Sequence, residues 1–195
     1  MRLRLAFYII ISIVISIIQS CGGSTAPHDD AVPRPHSYPR LTVYPPLYSS
    51  PASLPCHFQV NSHVNLSCTS NYSSLWADAE YPMYHATLRC TFTPIKQSQQ
   101  AEIIDNRLQR MGMNLGDNAA EQTDIISADS TFNSILLRSS GPTVTPLQFL
   151  STSPYWVISG ALDMPDAAAN VDSVRPLIDA VYADLVHALV NLSGK

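Results

Sequence analysis

The sequence has few charged residues and no excess of basic ones. Asp, Glu, Lys and Arg together make up 13% of the 195 residues, and the formal net charge is −4. Nucleic-acid binding requires a basic surface, so we expect no nucleic-acid partner. Glycine is also scarce, with 7 residues, and no Gly-rich phosphate-binding loop occurs.

Motifs of hydrolases and metalloenzymes are missing as well. The sequence contains neither the G-x-S-x-G turn of α/β-hydrolases nor the H-E-x-x-H motif of zinc proteases. His85 and His187 are isolated, and surface positions explain them better than catalysis. Asp78 and Glu80 are close in sequence, but a solvated pair is far commoner than an acid/base dyad. We therefore predict no catalytic residues, no bound cofactor and no metal.

Cysteine is rare, and three of the four cysteines follow the N-terminal region. Cys90 lies on the apolar side of an alternating segment, which indicates a buried thiol. Cys56 and Cys68 either form a disulfide that closes a loop or remain reduced. A more specific alternative is a metal site formed by these cysteines with His57 and His63, but no paired spacing of metal ligands supports it.

The one long apolar run lies at the N-terminus. Arg2 and Arg4 precede an almost unbroken apolar stretch, residues 5–18, which small Ser20 and then Cys21 follow. This run is short for a membrane span, which needs roughly 20 apolar residues. A basic start, an apolar middle and a small-residue cleavage site are typical of a secretory signal.

Residues 18–21, Ile-Gln-Ser-Cys, resemble a bacterial lipobox, in which the cysteine after the cleavage site receives a diacylglyceryl group. We therefore predict a signal peptide at 1–20, lipid attachment at Cys21 and a bilayer as one partner. The alternative is an ordinary signal peptide or short membrane anchor with a chance cysteine. Residues 21–32 are polar and predict a flexible tether, and 33–195 are expected to form a single domain.

The pattern of apolar residues within that domain predicts an α+β fold. Residues 85–92 alternate strictly, as in an antiparallel strand with one buried face. Three further apolar runs at 132–138, 144–151 and 155–162 predict a meander. The polar stretch 61–79 is predicted to be mostly loop.

Two helices are expected beside this sheet. The segment 97–113 carries apolar residues at helical spacing, and a long amphipathic helix is predicted near the C-terminus. Its apolar positions step by three and four and form one stripe: Val174, Ile178, Val181, Leu185, Leu189 and Leu192. This helix should cover one face of the sheet.

The order of these elements resembles the gliding-motility-associated lipoprotein GldD family of Bacteroidetes. The resemblance begins at residues 33–46, PRPHSYPRLTVYPP, and continues at 80–95, EYPMYHATLRCTFTPI. It is strongest at 141–162, GPTVTPLQFLSTSPYWVISGAL, and the final helix completes it. The element order also suggests an arrangement like the PsbP-type sandwich of photosystems.

The resemblance implies a non-enzymatic accessory protein of gliding motility and of the linked type IX secretion machinery. Partners would then be other envelope proteins of those machines. The acidic export signal of surface lipoproteins in Bacteroidetes lies beside the lipidated cysteine, whereas Asp29 and Asp30 lie well past Cys21, which favours a domain that faces the periplasm. The candidate partner surface comprises three aromatic residues: Trp76, Tyr81 and Tyr84. The alternative function is a periplasmic ligand-binding or hydrolytic lipoprotein unrelated to motility, which would need a pocket with titratable groups in contact.

Overall fold

The computed structural model describes residues 42–71 and 73–195, so Cys21, the signal and the tether lie outside the described residues. The strands are β1 (Tyr48–Ser49), β2 (Cys56–His57), β3 (Val60–Asn61), β4 (Asn65–Asn71), β5 (Ser74–Tyr81), β6 (Ala86–Pro94), β7 (Ala120–Ile126), β8 (Asn133–Ser139), β9 (Leu147–Thr152), β10 (Trp156–Asp163) and β11 (Ser193–Gly194). The helices are α1 (Gln100–Leu115), α2 (Pro165–Ala169) and α3 (Val171–Val190). The predicted α+β class is confirmed.

Seven strands form one antiparallel sheet in the order β4-β5-β6-β10-β9-β8-β7. Strand β6 lies near its centre and pairs with β5 on one side and β10 on the other. The alternation predicted for this strand is confirmed, because four side chains are at most 4% exposed: Ala86, Leu88, Cys90 and Phe92. Apolar and polar residues alternate along β6 because one face of the strand packs in the core and the other does not.

The prediction of a loop at 61–79 is wrong, since most of that stretch forms the β4–β5 hairpin. Strand β4 is the edge of the sheet, and its side chains are almost all exposed. An edge strand with two wet faces carries no apolar alternation, so its sequence, NLSCTSN, resembles that of a loop. Strand β5 does alternate, with Ala77, Ala79 and Tyr81 each 2% exposed.

The C-terminal helix α3 covers one face of the sheet, as predicted. Five members of the apolar stripe are buried, and Val174 packs partly buried beside them. The helix begins at Val171, and the Asn170 side chain caps it by accepting a hydrogen bond from the Ser173 N–H. This start leaves Pro176 inside the helix.

Helix α1 packs against the opposite face, mainly over β9 and β10. A small second core forms there from Met111, Leu150 and Val157. The Gln148 side chain ties the layers together, because its amide donates to the Met111 carbonyl and accepts from Asn114. The part of this face formed by β4, β5 and β6 is left without a helix over it, and that open area defines the candidate site.

The three cysteines of the described region are free thiols. Cys56 is buried in the short β2–β11 pair, whereas Cys68 is exposed on the edge strand and donates to the Ser53 hydroxyl at 3.5 Å. Of the two alternatives that the sequence leaves open for Cys56 and Cys68, the structure therefore has the reduced thiols, and it places them in separate sheets. Cys90 is buried, as predicted.

Within residues 42–71 and 73–195, no helix combines the length and the apolar character needed to cross a bilayer. The same residues contain no group of three or more His, Cys, Asp or Glu side chains arranged to hold a metal ion.

Candidate functional site

The three aromatic residues of the predicted partner surface do not share a surface. Trp76 is 48% exposed on the open face of the sheet. Tyr81 and Tyr84 are each 2% exposed and stack on one another within the core, so their assignment to a partner surface is wrong. The period of two along β5 explains the difference, since Tyr81 shares the buried face of the strand with Ala77 and Ala79, whereas Trp76 points to the opposite face.

Trp76 lies on the floor of an open groove of about 1020 Å³ between the uncovered sheet face and helix α1. Strand register places the floor residues in rows across β4, β5 and β6. The central row is Thr69–Trp76–Thr91, and the next row along is Ser67–Asp78–Arg89. On the other side of Trp76, the hydroxyls of Ser74 and Thr93 are 3.2 Å apart.

One turn of helix α1 supplies the cationic wall of the groove. Arg107 and Arg110 are three residues apart and therefore lie on the same side of the helix, and both line the groove. The guanidinium of Arg107 donates to the Thr93 hydroxyl at 3.5 Å, so it reaches the floor. Burial, with a smaller contribution from Arg110, lowers the pKa of Arg107.

Charge pairing differs between the cations of the groove. Arg89 pairs with the Asp163 carboxylate at 2.9 Å. Arg107 and Arg110 take part in none of the ion pairs formed by residues 42–71 and 73–195. Two neighbouring guanidinium groups repel each other, and an anion between them would relieve that repulsion. Asp78 and Glu102 also line the groove and make its charge mixed rather than uniformly basic.

The groove is suited to binding. Its described lining residues include no histidine, and Cys90 beneath the floor has a pKa raised by burial. The side chains that do converge are hydrogen-bonding hydroxyls, charged groups and one indole, which together recognise a polar ligand.

A second polar cluster lies on the opposite face, where residues 44–63 cross helix α3. The Asp184 carboxylate accepts hydrogen bonds from the Tyr48 hydroxyl at 2.9 Å, the Tyr81 hydroxyl at 3.3 Å and the Asn61 amide at 3.3 Å. Burial raises the pKa of Asp184 even though these donors act to lower it. His187 stacks on Tyr48 and hydrogen-bonds Gln59. This network fastens the N-terminal segment to the helix.

Sequence reasoning located Trp76 but not the arginines of the groove. Arg107 and Arg110 have a detectable signal, because they lie three residues apart on the polar side of a predicted helix. The floor residues of β4 had none, since Ser67 and Thr69 sit in a stretch of uniformly polar composition.

A comparison with models of known protein families shows to which family the chain belongs. The family described as gliding motility lipoprotein GldD matches residues 28–193. The chain belongs to the GldD family of gliding motility lipoproteins. The resemblance noted at residues 33–46, 80–95 and 141–162 is thereby confirmed. No curated protein sequence matches the chain.

Proposed function

We propose that this GldD-family chain is a non-enzymatic accessory component of the gliding-motility machinery and of the associated type IX secretion system. The family match across residues 28–193 carries the proposal. The groove adds support, because its described residues combine polar binding groups without a nucleophile and general base in contact. In this role the domain holds other envelope components rather than transforming a substrate.

Acylation of Cys21 would attach the chain to the bilayer. Each buried methylene contributes about 0.8 kcal/mol, so two or three acyl chains make a stable anchor. The lipobox-like residues 18–21 support this modification. The polar residues 21–32 would then separate the domain from the lipid surface, and we propose that the domain faces the periplasm.

Gene replacement in the source bacterium tests the functional proposal. We expect both a deletion and a Cys21→Ser variant to stop colony spreading and to reduce the set of secreted proteins in the medium. Cys68→Ser is the matched control, because Cys68 is an exposed free thiol in the folded domain, and it should spread normally. Normal spreading and an unchanged secreted set in the deletion strain would contradict the proposal and favour a ligand-binding lipoprotein unrelated to motility.

Mass spectrometry and fractionation test the anchor. The wild-type N-terminal peptide should begin at an acylated Cys21 and fractionate with membranes, whereas Cys21→Ser should remain an unprocessed precursor. Protease added to intact cells should spare a periplasmic domain and degrade it once the outer membrane is opened. An unmodified, freely diffusing chain would contradict the anchor.

A further inference from the structure

The groove floor offers one flat aromatic surface with polar rows on either side. Consecutive residues on the same face of a strand are about 7 Å apart. Trp76 therefore lies about 7 Å from the Ser74–Thr93 row on one side and about 7 Å from the Asp78–Arg89 row on the other. That spacing is comparable to the width of one sugar ring, so a ring over Trp76 would have hydrogen-bonding groups at both of its edges.

The polar groups of the floor match the edges of a saccharide. Thr69 and Thr91 flank Trp76 directly, and each hydroxyl both donates and accepts a hydrogen bond. The Asp78 carboxylate accepts, and the guanidinium of Arg89 donates. A pyranose ring presents C–H groups on its flat side and hydroxyls around its rim, which is the complement of an indole surrounded by such side chains.

The arginine pair adds a preference for negative charge. Arg107 reaches the Thr93 hydroxyl at 3.5 Å and so stands at one edge of the Trp76 surface. Arg107 and Arg110 form no ion pair with another described residue, as shown above. A carboxylate on the ring would accept charge-assisted hydrogen bonds from this pair.

The same observations disfavour other anionic partners. Strands β5 and β6 are paired on both sides, so a peptide strand could be added only at the outer edge of β4 and not over Trp76. Asp78 and Glu102 would repel the repeated phosphates of a nucleic acid.

We propose that the groove binds a saccharide that carries a carboxylate, with one sugar ring stacked on Trp76 and the carboxylate held by Arg107 and Arg110. This ligand class goes beyond the proposed role in motility and does not depend on it.

Titration of the purified mature chain with two matched disaccharides tests the proposal. N-acetylglucosaminyl-N-acetylmuramic acid and diacetylchitobiose differ by one carboxylate-bearing ether group. Isothermal titration calorimetry should show binding of the acidic sugar at least ~10-fold tighter, which corresponds to one charge-assisted interaction of about 1.4 kcal/mol. In a nitrogen–proton correlation spectrum, the indole N–H signal of Trp76 should move and that of Trp156 should not.

Variants separate the two parts of the site. Trp76→Ala should weaken binding of both sugars at least ~10-fold. Tyr155→Ala is the control, because Tyr155 is an aromatic residue that is 75% exposed and lies outside the groove; this variant should bind both sugars like wild type. Arg107→Gln with Arg110→Gln should remove the preference for the acidic sugar and leave weak binding to both. Arg175→Gln is the matched control, because its guanidinium pairs with Asp172 on α3.

Several results would overturn the proposal. These are equal binding of the two disaccharides, tighter binding of a hexaglutamate peptide than of the acidic sugar, and loss of binding in the Tyr155 variant equal to that in the Trp76 variant. If neither this sugar nor a uronic-acid disaccharide binds at millimolar concentration, the assignment is also wrong. All of these readouts are independent of colony spreading, so failure here leaves the motility proposal standing, and the reverse also holds.

Discussion

The hydroxyl of Tyr81 donates a hydrogen bond of 3.3 Å to the carboxylate of Asp184, although the two residues are 103 positions apart in the sequence. Tyr48 and Asn61 donate to the same carboxylate. One acidic side chain of α3 therefore joins the sheet and the N-terminal segment that crosses the helix.

Replacing Asp184 by Ala should destabilise the domain. The change removes the acceptor of the Tyr48 and Tyr81 hydroxyls and one of the two acceptors of the Asn61 amide, which still donates to the Pro45 carbonyl. A buried donor left unpaired costs about 1–3 kcal/mol. Because the site is partly buried, we expect the free energy of unfolding in urea to fall by about 2–4 kcal/mol in total. Asp179→Ala is the control on the same helix; its partly exposed pair with Arg138 should be worth about 0–1 kcal/mol. Equal losses in the two variants would contradict a special role for Asp184.

The free energy of unfolding should depend on pH in a way that reveals the raised pKa of the Asp184 carboxyl group. Burial raises the pKa of Asp184 above its ordinary 3.8, so the folded state holds this proton more tightly than the unfolded state. The contribution of this group to the free energy of unfolding is complete below the pKa of Asp184 in the unfolded state. It is lost as the pH rises through the pKa of Asp184 in the folded state. Asp184→Asn cannot titrate. We expect the stability of wild type relative to this variant to decline as pH rises from about 3, and to level off above the folded pKa. A relative stability that increases over this range would contradict the direction of the shift.

Gly160 should not tolerate a side chain. A Cβ at this position would overlap the ring of Phe149, the neighbouring core residue on β9. We expect Gly160→Ala to lower the free energy of unfolding by about 1–3 kcal/mol, as for other overpacked cores. Gly112→Ala is the matched control, since its Cβ would meet no atom within 4 Å. Alanine at this position in the last turn of α1 should stabilise by up to about 0.5–1 kcal/mol. A neutral Gly160→Ala variant would show that β9 and β10 pack more loosely than the structure indicates.

The three thiols should differ in reactivity. Cys68 is exposed, whereas Cys56 and Cys90 are buried, and burial raises the pKa of Cys56 to about 11. Because the thiolate is the reactive form, Cys68 should react with a maleimide much faster than the other two. In a Cys21→Ser chain, mass spectrometry should show one rapid modification in the native state and three in denaturant. A Cys56–Cys68 bridge would instead give no rapid modification in the native state and only one, at Cys90, in denaturant without a reductant.

Strand β6 and helix α3 were predictable because each has one buried face and one solvent-exposed face. In β6 the period of two is visible from Ala86 to Phe92, and in α3 the steps of three and four mark the buried stripe. Strand β4 was not predictable on this basis, since neither of its faces is apolar. A glycine within the hydrophobic strand β10 is explained by the proximity of the Phe149 ring, which leaves no room for a Cβ at Gly160.

The groove was beyond sequence reasoning for a different reason. Its floor comes from β4, β5 and β6, and its wall comes from α1, which follows β6. Whether α1 lies over β6 or over β9 and β10 depends on where apolar residues such as Leu150 and Val157 create a second core. That choice is tertiary, and it decides which half of the sheet face stays open. Trp76 could be recognised as an exposed aromatic candidate, but its arginine neighbours could not be placed.

The fastening of residues 44–63 onto α3 also determines how the domain would carry mechanical load. A pull transmitted from an anchored amino end would reach Tyr44, whose backbone N–H is bonded to the Tyr84 hydroxyl at 2.6 Å, and then the Tyr48–Asp184 contact. Beyond them, strand β2 is paired with β11 at the carboxyl end, where Lys195 donates to the Leu54 carbonyl. Tension would thus be shared between the two ends of the folded domain before any hairpin of the large sheet is peeled apart.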